Sequence, residues 1–302
     1  MAAAGLTPGR TVQWSRRSLL LSGAAAVAGC SLAPDQDHNG PDAPRAEALQ
    51  RPVRTAWVLS SGGPRGFVHV GVLKALEALG LKPDLIVGAS AGALVGSLCA
   101  SGVSAAEIET LALDLQAWSL GRLALGTPER LSGGAVAELV RDRARVPLLE
   151  QMPVPMACVA LRRSDRAVVA FTAGDAGLAV QASAAIEDQF APVRIRGQRY
   201  VDPDWSTPLP VRIARALGAQ RVLAVDASVH LDRVPAGAER YRESDLRKKA
   251  LIDADAAQAS LLLKPDFGYW VSLSREFRER AIAAGYRETM AQAAALRDLH
   301  AG

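Results

Sequence analysis

Cysteine is scarce in this 302-residue chain, occurring only at positions 30, 99 and 158. That excludes a disulfide-stapled framework and a cysteine-rich zinc module. No cluster of metal-ligating residues is visible, so neither a metal nor a cofactor is expected. There is no internal repeat and no clear second domain. The apolar run at the N-terminus, Leu19 to Gly29, is about half of what a bilayer-spanning helix needs. Lysine is rare too, with 5 against 30 arginines. What remains is 49% hydrophobic and 22% charged, the balance of a folded protein.

The formal charge of +4 would suit an anionic partner if it lay on the folded part of the chain. Residues 1–29 carry Arg10, Arg16 and Arg17 and no acidic residue. Paired arginines ahead of a short apolar run read as a twin-arginine export signal. The run ends in Val27-Ala28-Gly29-Cys30, which resembles a bacterial lipobox and makes Cys30 the expected lipidation site. Ser31 follows where an inner-membrane-retaining Asp would stand, so the periplasmic face of the outer membrane is the favoured location. From Cys30 onward, 32 Lys+Arg meet 31 Asp+Glu, a net +1. The basic balance leaves with the signal, and a nucleic-acid partner loses its main support. Residues 30–52 are rich in Pro and Asp and read as a lipidated N-terminus and disordered tether. Residues 53–302 read as one folded domain.

From Thr55 onward, strand and helix patterns alternate. Thr55–Leu59 is apolar and β-prone, and Gly66–Leu79 has apolar residues at helical spacing. Asp84–Val87 leads into an Ala/Leu-rich helix, and Ser104 with Glu107 forms a capping box. Pro155–Leu161 and Ala167–Phe171 pair across a polar turn. Further segments are a helix at Leu178–Ala185, two short strands around Gly197, a helix at Pro210–Leu217 and a buried strand, Arg221–Val225. Residues 232–258 are charge-dense and helix-prone, read as a solvated helical excursion, with a lid or membrane-contacting element as the alternative. A last strand at Leu261–Leu263 and a long helix at Ser274–Leu299 complete the chain. The alternation predicts an α/β sheet with helices on both faces.

Gly88-Ala89-Ser90-Ala91-Gly92 is a GxSxG sequence between a strand and a helix. Such a turn lifts a serine Oγ out of the sheet, and small neighbours are needed because larger side chains would collide. Upstream, Ser60-Ser61-Gly62-Gly63-Pro64-Arg65-Gly66 also joins strand to helix. A Gly-rich turn at a helix N-terminus points backbone N–H groups at an anion. Beside a nucleophilic serine, that anion is better read as an oxyanion than as a phosphate. A histidine partner for Ser90 is harder to find. His38 lies in the tether, His300 at the frayed end and His69 in the helix after the Gly-rich turn. Only His230 suits a Ser…Asp…His order. A carboxylate within hydrogen-bond reach could accept the serine proton instead.

These blocks together resemble the patatin-like phospholipases, which use a Ser–Asp dyad. Their GGGxRG loop is matched by Ser61–Gly66, and their GxSxG by GASAG. Their DG[GA] segment falls at Asp202-Pro203-Asp204. The resemblance covers about residues 53–228. It implies a three-layer α/β/α fold with a mostly parallel central sheet, Ser90 as nucleophile, Asp202 as base, and Gly62, Gly63 and Arg65 as the oxyanion hole. It also implies hydrolysis of phospholipid or related lipid esters without a metal. Two departures stand out: Ser61 replaces a Gly, and Pro203-Asp204 replaces Gly-Gly. Pro203 excludes positive φ at that position, and a second carboxylate nearby should raise one of the two pKa values. Asp204 is the alternative base. The other readings are a Ser–His–Asp esterase using His230 and a non-catalytic lipoprotein. Trp205 could line an acyl pocket or simply pack, and Cys99 and Cys158 read as buried thiols.

Overall fold

A computed structural model describes residues 36–116, 121–123, 129 and 131–301. The export signal and Cys30 lie outside these residues. Asp35–Gly302 forms one compact unit.

Along the chain the elements are β1 (Thr55–Leu59), α1 (Phe67–Ala78), β2 (Leu85–Ala89), α2 (Ala91–Ala100) and α3 (Ala105–Asp114). A small antiparallel pair follows, β3 (Arg122–Leu123) with β4 (Leu131–Ser132), and then α4 (Gly134–Arg143). Next come β5 (Met156–Arg162), β6 (Val168–Phe171), α5 (Ala176–Ser183), β7 (Val193–Ile195), β8 (Gln198–Val201), α6 (Val211–Ala216) and β9 (Arg221–Val225). The chain closes with α7 (Arg242–Ala256), β10 (Leu261–Leu263), α8 (Arg275–Ala291) and α9 (Ala293–Ala301). The long terminal helix expected from sequence is thus two helices, broken at Gln292.

The main sheet runs in the order β10-β9-β1-β2-β5-β8-β7, with β6 also paired to β5. The strands from β10 to β5 are parallel, whereas β6, β7 and β8 form antiparallel pairs. All five residues of β1 and of β2 are buried, as expected of a parallel sheet covered on both faces. Alternate residues feed two cores. Trp57, Leu59, Ile86 and Cys158 pack toward α1, α2 and α5, while Ala56, Val58, Val87 and Val159 pack toward Leu209, Val211, Ala214 and Ile252. This is the three-layer α/β/α arrangement. Cys99 and Cys158 are free thiols. Burial pushes Cys99 up to about 12 and Cys158 above its ordinary range, so neither is a reactive thiolate at neutral pH.

Two expectations need correction. From Gln36 onward the expected tether lies along the domain. His38 N–H donates to Arg194 O at 2.9 Å, and Arg45 N–H donates to Ala173 O at 3.0 Å. Ala43 is buried in the core, and Thr172 Oγ1 is bonded to both the N–H and the carbonyl of Glu47. Prolines deny these residues regular structure, but the β6–α5 junction satisfies their backbone from outside. His300 is not at a frayed end either. Its Nε2 lies 3.0 Å from the Trp57 indole nitrogen and its Nδ1 lies 2.7 Å from Leu296 O, which docks α9 against β1.

Candidate active site

Strand register brings the site together. Leu59 pairs with Gly88 on β2 and with Val225 on β9, so the residues after β1, β2 and β9 emerge side by side at one sheet edge. Ligands of parallel α/β sheets bind at this carboxyl end. On the antiparallel side, Val201 pairs with Leu161. One residue further, Asp202 comes level with Ala160, next to Val159, which pairs with Ala89. β6 takes the other edge of β5 at Val159 and Leu161, so β2 and β8 share one edge and Asp202 approaches Ser90 along it.

Ser90 sits at the turn itself, with φ 53° and ψ −117°. This left-handed-side backbone is costly for a non-glycine residue and persists only where the surroundings enforce it. They do so here. A Cβ on Gly92 would overlap the carbonyl of Leu59, and one on Gly88 would meet the backbone of Gly92 and Ala93. The Ser90 N–H donates to Ser183 Oγ at 2.8 Å. That hydroxyl in turn donates to Val159 O, pinning the turn to the end of α5 and to β5. The Ser90 carbonyl accepts from Ala93 and Leu94 N–H, so α2 starts directly under the hydroxyl and directs its positive end there. Ser183 was not singled out by sequence reasoning. A serine in an Ala-rich helix looks like any small core residue.

The Gly-rich turn packs directly on this elbow, because a Cβ on Gly66 would overlap that of Ala91. Ser60 N–H donates to Val225 O at 3.1 Å and Ser61 N–H to Pro208 O at 2.8 Å. A single 3-10 turn, Gly63–Gly66, then leads into α1. Among the described residues, the N–H groups of Gly62 and Gly63 donate to no other protein group, so both remain free for an anion. Arg65, expected as a third donor, is used differently. The 3-10 turn closes by its N–H donating to Gly62 O at 3.0 Å. Its guanidinium binds the carbonyls of Ala227 (2.6 Å), Gly268 and Tyr269 (3.0 Å each), lying 4.3 Å from the Phe267 ring centroid. Burial lowers its pKa to about 10, still charged at neutral pH. Arg65 is an anchor of the loop.

Asp202 is 5% exposed, as is Ser90. Its pKa is pushed up to about 7, first by burial and then by the Asp204 carboxylate, against the opposing effects of the Ser90 hydroxyl, the Asp204 N–H and Lys248. The expected effect of a second carboxylate is present, but desolvation is the larger cause. One carboxylate oxygen, Oδ1, accepts from Asp204 N–H at 2.9 Å. The other, Oδ2, is buried without a hydrogen-bond partner. A buried acceptor left empty costs stability and is the feature a proton acceptor requires. Asp204 itself is partly exposed and bound to Lys248. The Asp202–Thr207 turn uses no positive φ, which is how Pro203 is accommodated. Thr207 and Ser206 N–H groups close it onto Pro203 O.

The histidines are engaged elsewhere. His69 is fully buried, with Nε2 2.9 Å from Ser60 O, and burial lowers its pKa to about 4. It supports the Gly-rich turn from below as a neutral ring. His230 Nε2 lies 3.0 Å from Lys264 O at the end of β10. Trp205 does not pack inward. It is 41% exposed, with the Arg247 guanidinium 5.6 Å from its ring centroid.

An enforced strand–serine–helix elbow with free N–H groups and a buried carboxylate beside it is the layout of the serine-nucleophile α/β class. The sequence profile described as "Patatin-like phospholipase" matches residues 57–215, more than half of the chain, and the chain belongs to the patatin-like phospholipase family. It is similar to an uncharacterized NTE family protein of Mycobacterium tuberculosis (strain ATCC 25618 / H37Rv), 31% identical over 221 residues, covering 69% of this chain and 60% of that protein. It is also similar to "Lysophospholipase NTE1" of Mycosarcoma maydis, 30% identical over 189 residues, 59% of this chain and 10% of that protein. The fold resembles VipD from Legionella pneumophila, with a TM-score of 0.56 at 15% identity, covering 92% of this chain and 73% of that one.

Proposed function

We propose that this protein is a serine acyl hydrolase that cleaves acyl esters of phospholipids or related lipids with a Ser90–Asp202 dyad. One observation carries the reading: a buried serine on an enforced positive-φ elbow beside a buried carboxylate with one oxygen unfilled. Ser90 Oγ attacks the ester carbonyl while Asp202 takes its proton. The N–H groups of Gly62 and Gly63 stabilise the tetrahedral oxyanion, aided by the positive end of α2. Collapse breaks the ester C–O bond, and Asp202 returns the proton to the departing alcohol. Water, deprotonated by the same carboxylate, attacks the acyl carbon; the bond to Ser90 Oγ breaks, Asp202 returns the proton to that oxygen, and the fatty acid leaves. A lipid substrate is supported by the family and by a relative named a lysophospholipase.

The membrane-surface part of the reading rests on different features. Trp205, Tyr241, Leu246 and Trp270 are exposed on the segments around the Asp202 turn. Aromatic side chains of this kind suit a lipid interface. An acylated Cys30 would hold the domain at the periplasmic face of the outer membrane. A fluorophosphonate probe tests the chemistry: wild type labelled and Ser90→Ala unlabelled is expected, whereas equal labelling of both contradicts it. Fractionation tests the anchor, with wild type in the membrane pellet and Cys30→Ser released. A wild type found entirely in the soluble fraction contradicts it.

A further inference from the structure

The two departures from the family pattern touch each other. Ser61, where the family has Gly, donates its hydroxyl to Asp204 Oδ1, and Asp204 also stands where the family has Gly. The same oxygen receives the ammonium of Lys248 at 2.6 Å. Lys248 comes from α7, within the charge-dense segment. Asp204 connects onward through its own N–H, which donates to Asp202 Oδ1. A continuous polar path therefore runs from α7 to the base.

α7 is seated for this purpose at two more points. Asp255, fully buried, accepts from Arg212 Nε and Nη2 at 2.9 Å each, from Arg212 N–H at 3.2 Å and from Thr207 Oγ1 at 3.3 Å. Asp245 accepts from the Tyr269 hydroxyl at 2.6 Å. The helix is thus tied to the start of α6, to the end of the Asp202 turn, and to the loop that Arg65 grips. Only Ile252 and Asp255 of its fifteen residues are buried. Its attachment is chiefly polar.

We propose that Lys248 is a positioning residue for the base: by binding Asp204 together with Ser61, it keeps the second carboxylate neutralised and holds the Asp202 turn in its working geometry. This rests on the dyad reading above. The charges around the turn make the sign clear. Asp204 faces Asp202 from the same turn, Lys248 faces both from α7, and Arg247 lies over Trp205. Behind the Gly-rich turn stand neutral His69, the Asp226–Lys264 pair (2.9 Å) and Arg65. Lys248 is the cation whose charge lowers the Asp202 pKa, and Asp204 is the anion that raises it. Removing the ammonium leaves Asp204 unopposed and raises Asp202 further. Removing Asp204 does the reverse.

The test is the pH dependence of the second-order rate of fluorophosphonate labelling at Ser90. In Lys248→Met the acidic limb should move up by about one pH unit. That is about a fivefold loss at pH 7 that closes above about pH 9, since a limb one unit higher leaves about a tenth of the carboxylate ionised instead of half. Lys248→Arg should keep the wild-type limb, Asp204→Asn should move it down, and Asp204→Asn/Lys248→Met should not show the upward shift. An unmoved limb in Lys248→Met overturns the proposal. So does a loss equal at every pH that the double variant leaves in place. If Lys248→Met does not fold, an unshifted limb in Asp204→Asn overturns it. A wild type that the probe does not label sinks the dyad reading as well. A labelled wild type with an unmoved limb sinks the role of Lys248 alone.

Discussion

The two halves of the site are held by different physics. On the serine side, the geometry is fixed by backbone in contact with backbone. Gly92 lies against the Leu59 carbonyl, Gly66 against Ala91, and the Ser90 N–H is tied to a buried hydroxyl. On the aspartate side, the turn is fixed by side chains reaching from outside: Lys248 and Ser61 onto Asp204, and Asp255 onto Thr207 and Arg212. The first half cannot move without breaking the sheet. The second can change its charge and relax. A nucleophile needs the former because its oxyanion donors must be in place beforehand. A base needs a tunable pKa, which a partly exposed pair such as Lys248–Asp204 can supply without disturbing the core.

The comparison can be broken at graded points. Gly92→Val should have the largest effect, because its side chain has nowhere to go but into the Leu59 carbonyl. Loss of folded protein, read by circular dichroism and yield, is expected. A normally folded Gly92→Val would show that the elbow is not backbone-locked. Ser183→Ala should act in the middle range. It strips a partner from the buried Ser90 N–H and should cost about 1–3 kcal/mol of stability. Probe labelling should fall about tenfold in a protein that still folds, the equivalent of about 1.4 kcal/mol in barrier. Unchanged labelling would remove Ser183 from the site.

A further break concerns stability and its dependence on pH. Asp202 titrates at about 7 in the folded protein against an ordinary 3.8. The folded state therefore holds its proton more tightly than the unfolded one. Its contribution is favourable when protonated and is lost as pH rises from about 4 to 7. Asp202→Asn should accordingly melt higher than wild type at pH 8, by about 2–4 kcal/mol, with the gap narrowing toward pH 5. Thermal melts at the two pH values check this. A gap independent of pH would show that burial does not strain the carboxylate.

Much of this was legible in the sequence, for physical reasons. The elbow and the Gly-rich turn are read easily because backbone geometry restricts the residue types allowed at fixed spacing. Asp202 follows from its order after Val201. The helix Gly134–Arg143 went unread, since it has no side-chain cap and little apolar pattern to mark it. The role of Arg65 as donor was misassigned, because one residue type can contribute either its N–H or its guanidinium. Ser183 and Lys248 were invisible for another reason. Their partners lie 93 and 44 residues away, and no local spacing encodes such a pair. Ser61 and Asp204 each look like a weakening of the motif when read singly, and only the folded chain brings them into contact.

The dyad itself is tested most directly by comparing Asp202→Asn with His230→Ala for hydrolysis of a short-chain ester at pH 8. Asp202→Asn should lose at least about a thousandfold in kcat/KM, while His230→Ala, whose ring is bonded to the Lys264 carbonyl, should stay within about twofold. A near-normal Asp202→Asn beside an inactive His230→Ala would contradict the Ser90–Asp202 pairing outright.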